Sequence, residues 1–200
     1  MKTDERNIDK RTIKTCKVIE TTFKTMLCEE DSSALNVKRI TERAEVNRKT
    51  FYLHYNCIED LFQITCDHIC DGYYEKLNSA PPEPSDSNEE KEILQIYRSF
   101  YEYFTAQDQY VERLLCDPNY SVWADKIISS CAAINRTRRN VLNDMNKEER
   151  SLFNNLMAVS LFNTYRQWVG LGKNISVDTL VEFSRKFMFH GMSSIYGDDA

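Results

Sequence analysis

Between residues 47 and 55 the chain reads Asn-Arg-Lys-Thr-Phe-Tyr-Leu-His-Tyr, a segment in which long cations, hydroxyls and an imidazole interleave with apolar residues. Guanidinium and ammonium groups on one face of a helix reach phosphate oxygens and the acceptor-rich base edges of a major groove, and hydroxyls donate to phosphates. Asn47 is of the residue type that caps a helix, where free backbone N–H groups point outward and suit an anion. Phe51 and Val46 would hold such a helix against a support. A second chemistry to weigh is that of thiols: Cys66 and Cys70 are four apart and share a helix face, whereas His68 between them points away. A third metal ligand would have to come from elsewhere, such as Cys57, Cys116 or Cys131, so inert buried cysteine is the default and thiol or metal sensing the alternative. Catalysis finds little support. The glycines are scattered from residue 72 onward, so none forms a phosphate-cradling loop, and His54, His68 and His190 have no serine or cysteine partner at a recognisable spacing. The acids Glu29-Glu30-Asp31 and Glu148-Glu149 fall at helix ends, where solvation and capping explain them. The chain is therefore not expected to be an enzyme, and no catalytic residue, metal ligand or cofactor is assigned.

The elements that must carry the 47–55 segment are helical. Ile13, Cys16, Ile19, Phe23, Met26 and Leu27 recur at spacings of three and four, which predicts a first helix over 9–27. Asn36 can cap a short helix with Val37, Ile40 and Ala44 inside, and Asn47 a second with Phe51 and Tyr55 inside, leaving a turn of three or four residues between them. Asn56 with Glu59 resembles a third cap, opening an amphipathic helix through Leu77. The stretch SAPPEPSDSNEEKE, residues 79–92, replaces apolar periodicity with proline, serine and acid and reads as a linker or exposed loop. Beyond it, periodicity predicts helices at 89–107, 109–116, 118–144, 147–170 and 176–196. Asp117-Pro118 supplies a cap and a first-turn proline, and Gly170 with Gly172 a stop. The last two helices are apolar on more than one face, which points to a second subunit.

Composition agrees. Two hundred residues, 42% hydrophobic and 12% aromatic, suffice for a real core in one large domain or two small ones. The net charge of −5 excludes a surface coated for nonspecific polyanion binding. It conceals an asymmetry, for residues 1–55 carry twelve basic and nine acidic side chains, so nucleic-acid contact would be local. With no signal-like start, no apolar run of membrane-spanning length, and seven cysteines without a Cys-x-x-Cys pair, a cytoplasmic location and no membrane partner are expected.

The stretch from Val37 to Leu61, VKRITERAEVNRKTFYLHYNCIEDL, resembles the DNA-binding signature of the tetracycline-repressor (TetR/AcrR) family, most specifically in its Thr-Phe-Tyr-x-His-Tyr run followed by Glu-x-Leu. It covers about an eighth of the chain, and the overall length, the first amphipathic helix and the helical remainder match that family too. The resemblance implies a homodimeric transcription factor, usually a repressor. Its fold would be all-α: a three-helix DNA-binding unit over 1–56, a connecting helix over 57–78, and a helical dimerisation and effector domain over 79–200. Position by position it implies base and backbone reading by Arg48, Lys49 and Tyr52, a base or phosphate contact by Lys38, and phosphate contacts by Asn47, Thr50, His54 and Tyr55. Two positions depart from the family pattern: Glu45 stands in the turn where glycine is usual, and Ile58 where a lysine often meets phosphate. A left-handed Glu45 would cost about 1 kcal/mol.

The expected partners are double-stranded DNA carrying a palindromic operator, a second copy of the chain through 147–170 and 176–196, and a small-molecule effector that releases the DNA. Sixteen of the twenty-three aromatic residues lie after residue 78, and most must be plain core. Tyr101, Phe104, Trp123, Phe162 and Tyr165, central in helices that should face one another, are the candidates for ligand contact. Two competing readings remain: a dimeric protein-interaction module with a vestigial helix-turn-helix, and a thiol- or metal-responsive regulator.

Overall fold

The computed structural model describes residues 10–79, 89–137 and 146–190, and every element in them is helical: α1 (Lys10–Glu29), α2 (Val37–Arg43), α3 (Arg48–Tyr52), α4 (Ile58–Ser79), α5 (Glu89–Thr105), α6 (Gln109–Cys116), α7 (Ser121–Thr137), α8 (Lys147–Gly170) and α9 (Val177–His190), with single 3-10 turns at Ser32–Ala34 and Pro118–Tyr120. The all-α expectation holds, and the described helices lie within a few residues of their expected positions. Most of the 79–92 linker, the 138–144 end of the seventh helix and the 191–196 end of the ninth lie outside the described residues.

Side-chain caps set several of the boundaries. Asn36 Oδ1 accepts the Arg39 N–H at 3.0 Å and opens α2, and Asn47 Oδ1 accepts the Lys49 N–H at 2.8 Å and opens α3. Asn146 and Glu149 exchange side-chain to backbone bonds at the start of α8, so Glu149 closes a capping box there. Two boundaries differ from the sequence reading. The residue that reaches back at the start of α4 is Asp60, not Glu59: its Oδ2 takes the Asn56 N–H at 2.6 Å. That bond holds the Asp60 carboxyl below its ordinary range. Asp117 caps the 3-10 turn by accepting the Asn119 N–H, and α7 proper starts three residues later, at Ser121.

The apolar faces meet in one continuous core. Phe23 of α1 packs edge-on against Phe62 of α4 at 4.8 Å, and Phe62 stacks on Trp123 of α7 at 4.8 Å. Further along, Phe100 and Phe104 of α5 meet Phe162 of α8 at 4.7 and 5.4 Å. Helix α5 lies close on α4 because residue 72 is glycine: a Cβ there would stand 2.5 Å from the Tyr103 hydroxyl, which instead donates to the Ile69 carbonyl at 2.7 Å. The chain turns from α8 into α9 through a left-handed Gly172 (φ 77°), and the Trp168 indole N–H ties the turn by donating to Ile175 O at 3.0 Å.

Candidate nucleic-acid interface

Helices α2 and α3 form the expected pair, and the turn between them is a helix stop that the sequence makes in an unusual way. The Val46 N–H donates to Thr41 O at 3.0 Å and the Glu45 N–H to Glu42 O at 3.3 Å, the two bonds of a Schellman stop. Such a stop needs a left-handed residue, and Glu45 has φ 54°. The same pair of bonds ends α8, from Gly172 to Val169 O and from Lys173 to Trp168 O, and there the position holds glycine. The conformation usually reserved for glycine is therefore present at residue 45, with a side chain on it.

Beyond the turn, α3 is anchored by Phe51, which is fully buried, and by Val46, packed against the core. Arg48, Lys49 and Tyr52 are left on the outer face, all exposed, with Thr50 and His54 half-buried at its flanks. Asn47 is exposed, its carbonyl oxygen committed to the cap. Lys38 projects from the start of α2 and lies 4.0 Å from Glu42 one turn on, a contact too exposed to hold it. Tyr55 differs from the rest. It is 3% exposed, and its hydroxyl points inward to donate to Glu20 Oε1 of α1 at 3.0 Å. Burial and the neighbouring Glu20 push its phenol up. Its hydroxyl thus braces α3 from behind and points away from the outer face on which the expected phosphate contact would lie. Ile58, where a lysine is often found, packs against the core as well.

The cations of this unit are sorted in a way that spacing could not reveal. Arg39 pairs with Glu30 at 2.9 Å, and Arg43 with both Glu29 and Glu30. The acids at the end of α1 are therefore ion-pair partners that bind α2 to α1, a role beyond the capping and solvation expected of them. Among the described residues Arg48 and Lys49 pair with no acid, so the charge of α3 remains directed outward.

The five aromatic candidates for ligand contact are packing groups in this state. Tyr101, Phe104, Phe162 and Tyr165 are all at most 2% exposed. Tyr101 shares a 3.0 Å hydrogen bond with Ser184, and its phenol is pushed up to about 12 by burial. The Tyr165 hydroxyl donates to Phe104 O at 3.2 Å. Trp123 lies apart from them, stacked on Phe62 at the α4–α7 contact. An apolar hollow of about 380 Å³ involves different residues, among them Trp168, Leu171, Ile175 and Phe183 between α8 and α9. Exposed along the same side are Leu152, Leu156 and Val159 of α8 and Phe187 of α9. No helix among the described residues is long and apolar enough to cross a membrane.

No protein-family model matches the chain. A 92-residue stretch is 30% identical to YxbF of Bacillus subtilis, an uncharacterized HTH-type transcriptional regulator; it covers 44% of this chain and only about a quarter, 24%, of that protein. Among solved structures, a TetR transcriptional regulator from Streptococcus agalactiae is 21% identical with a TM-score of 0.63, over 90% of this chain and 96% of that one. The fatty acid degradation regulator FadR from Bacillus halodurans is 14% identical with a TM-score of 0.61, over 89% and 96%. The multidrug binding protein EbrR, solved with imidazole, is 12% identical with a TM-score of 0.61, over 92% and 95%. The chain thus has the all-helical fold of the TetR-type regulators over nearly its whole described length.

Proposed function

We propose that the protein is a sequence-specific DNA-binding transcriptional regulator that works as a homodimeric repressor. The observation that carries this reading is the sorting of charge on the helix-turn-helix. The cations of α2 that face α1 are consumed by Glu29 and Glu30, while Arg48 and Lys49, beside Tyr52, stand exposed on the outer face of α3 with no acid partner among the described residues. A short helix fixed by Phe51 and presenting two cations suits a major groove, with Arg48 and Lys49 on base edges or phosphates and Lys38, Asn47, Thr50 and His54 on the flanking backbone. Residues 1–56 would be the reading unit, 57–78 the connecting helix and 79–200 the dimerisation and effector domain.

The exposed apolar stripe Leu152, Leu156 and Val159, with Phe183 and Phe187 beside it, supports pairing of two copies through α8 and α9. Such a dimer sets two reading heads on a palindrome with half-sites about 34–36 Å apart or a multiple of that. An effector could release the DNA only by binding better to a dimer whose heads are mis-spaced. EbrR was solved with a small molecule, which supports an effector of that kind here.

The test is to select bound fragments from sheared genomic DNA and to measure their affinity against salt. A shared palindrome is the expected result, with Arg48→Ala and Lys49→Ala each weakening it by about 1–3 kcal/mol at unchanged melting temperature. Unaltered affinity in both variants would refute the reading face, and no DNA enrichment at all would favour a protein-binding role for the helix-turn-helix.

A further inference from the structure

The contact between α4 and α7 has a register fixed near both ends. Phe62 stacks on Trp123 with the rings 6° from parallel. Eleven residues on, the Tyr73 hydroxyl donates to Asn135 Oδ1 at 2.7 Å in the core. The partners are 61 positions apart in the first contact and 62 in the second, so the helices run parallel and each inner residue of α4 stands beside the residue about 61 places later. In that register Cys70 meets Cys131. Both are buried, Cys131 completely and Cys70 with 9% of its surface still open. Seven free cysteines are present, and these two sit on different helices with a hydrogen bond between their side chains. Hydrogen bonding from Cys131, and then from Ser130, draws Cys70 below the ordinary thiol range against its burial and against Asp67 and Asp71, while burial keeps the Cys131 proton in place.

We propose that Cys70 and Cys131 are an oxidisable dithiol, which closes to a disulfide between α4 and α7 when the protein meets a peroxide. The Cys70 thiolate sulfur attacks one peroxide oxygen. The O–O bond breaks, the departing hydroxide takes up a proton to leave as water, and Cys70 becomes a sulfenic acid. The Cys131 sulfur, giving up its proton, then attacks the Cys70 sulfur; the S–O bond breaks and the hydroxyl leaves with that proton as a second water. Two thiols are oxidised by two electrons and one peroxide is reduced to two waters. The order of attack follows from access, since only Cys70 has any surface open to the oxidant. Cys66 cannot take the place of Cys131. It lies one turn from Cys70 on the same helix, where Cβ atoms stand about 5–6 Å apart and a disulfide needs about 3.5–4.5 Å.

The bond has a mechanical consequence. The axes of packed helices lie about 8–10 Å apart, which with Cα atoms about 2.3 Å from each axis already brings facing Cα atoms near the roughly 4.4–6.8 Å of a disulfide, so oxidation locks α4 onto α7 in the register they hold. Helix α4 leaves the reading unit directly after Tyr55. On the reading proposed above, which this consequence but not the disulfide itself rests on, the clamp fixes the attitude of the reading head and alters operator affinity.

The test uses the full chain. Wild-type protein is treated with a small excess of hydrogen peroxide, its remaining thiols are alkylated, and the unreduced digest is mapped by mass spectrometry. Expected are the loss of two thiols out of seven, a Cys70–Cys131 cross-linked peptide, and its disappearance with dithiothreitol. In Cys131→Ser the cross-link is lost and Cys70 is trapped by dimedone as the sulfenic acid. Seven alkylated thiols after treatment, or cross-links confined to other cysteines, would overturn the proposal; the wild-type map decides this even if the variant fails to fold. A gel shift on the oxidised protein separates the two claims: a mapped disulfide with no operator binding in either redox state refutes the regulator reading alone, and one with unchanged operator affinity refutes the clamp.

Discussion

Glu45→Gly should stabilise the protein, although it deletes a side chain and loosens the unfolded chain. At φ 54° the Cβ of residue 45 crowds its own carbonyl, a cost of about 1–2 kcal/mol for a side-chain-bearing residue. Glycine removes that cost but loses about 0.4–1 kcal/mol through the greater freedom of the unfolded chain. Glu45 is exposed, so no packing is lost. The balance is a gain of about 0.5–1 kcal/mol, which in a chain of this length raises the melting temperature by about 1–4 °C. Glu45→Ala is the control that isolates the cause, because alanine keeps the Cβ and should gain nothing. Gly172→Ala is the reciprocal experiment at the matching position of the other stop, with a loss of about 1 kcal/mol expected. Calorimetry of the four proteins reads all of this. If glycine and alanine at residue 45 shift the midpoint equally, the left-handed strain is not what the substitution relieves, and the argument from φ fails.

Other substitutions address the remaining contacts. Tyr55→Phe should cost about 1 kcal/mol in stability, from the bond to Glu20, and leave operator affinity and its salt slope unchanged; a reduced slope would restore the phosphate role. The Asp60 carboxylate is held below its ordinary range by the Asn56 N–H, so its contribution is present above the unfolded carboxylate pKa and fades as pH falls through the lower folded value. Asp60→Asn should therefore lower stability at pH 7, where that contribution is fully present, and flatten the acid limb of a stability-versus-pH curve below about pH 4, where variant and wild type converge. Leu156→Glu puts a charge in the middle of the exposed α8 stripe and should give monomers by analytical ultracentrifugation with the helix content intact. A dimer that survives it would move the interface elsewhere.

Helix positions were legible because they follow from signals within a few residues of each other. Apolar spacing placed α1 to within two residues at its C-terminus, and Asn36 and Asn47 announced α2 and α3 by the same cap chemistry that they exhibit in the fold. Asp60 was missed for a local reason: Glu59 and Asp60 are both acids in the first turn, and only the backbone path selects the one whose oxygen meets Asn56. Tyr55 was half legible, since its helical phase put the ring inside, but the direction of the hydroxyl depends on Glu20, 35 residues away.

The outer face of α3 that is proposed to read DNA required tertiary information of a particular kind. Arg39, Arg43, Arg48 and Lys49 are chemically alike in sequence, and all four sit on short exposed helices. What distinguishes them is the end of α1, where Glu29 and Glu30 consume the first two and leave the others to solvent. Pairs whose arginine ends are this open to solvent add modest stability, so their effect is better sought in direction than in energy. By neutralising the inner cations they leave the outward positive charge of the helix-turn-helix to α3 and to Lys38 at the start of α2. Replacing both acids, as Glu29→Gln with Glu30→Gln, should therefore raise nonspecific DNA affinity and steepen its salt slope more than it strengthens operator binding, lowering the ratio between the two. An unchanged ratio would mean that Arg39 and Arg43 lie out of reach of the duplex, and that the acids serve only to fasten α2 to α1.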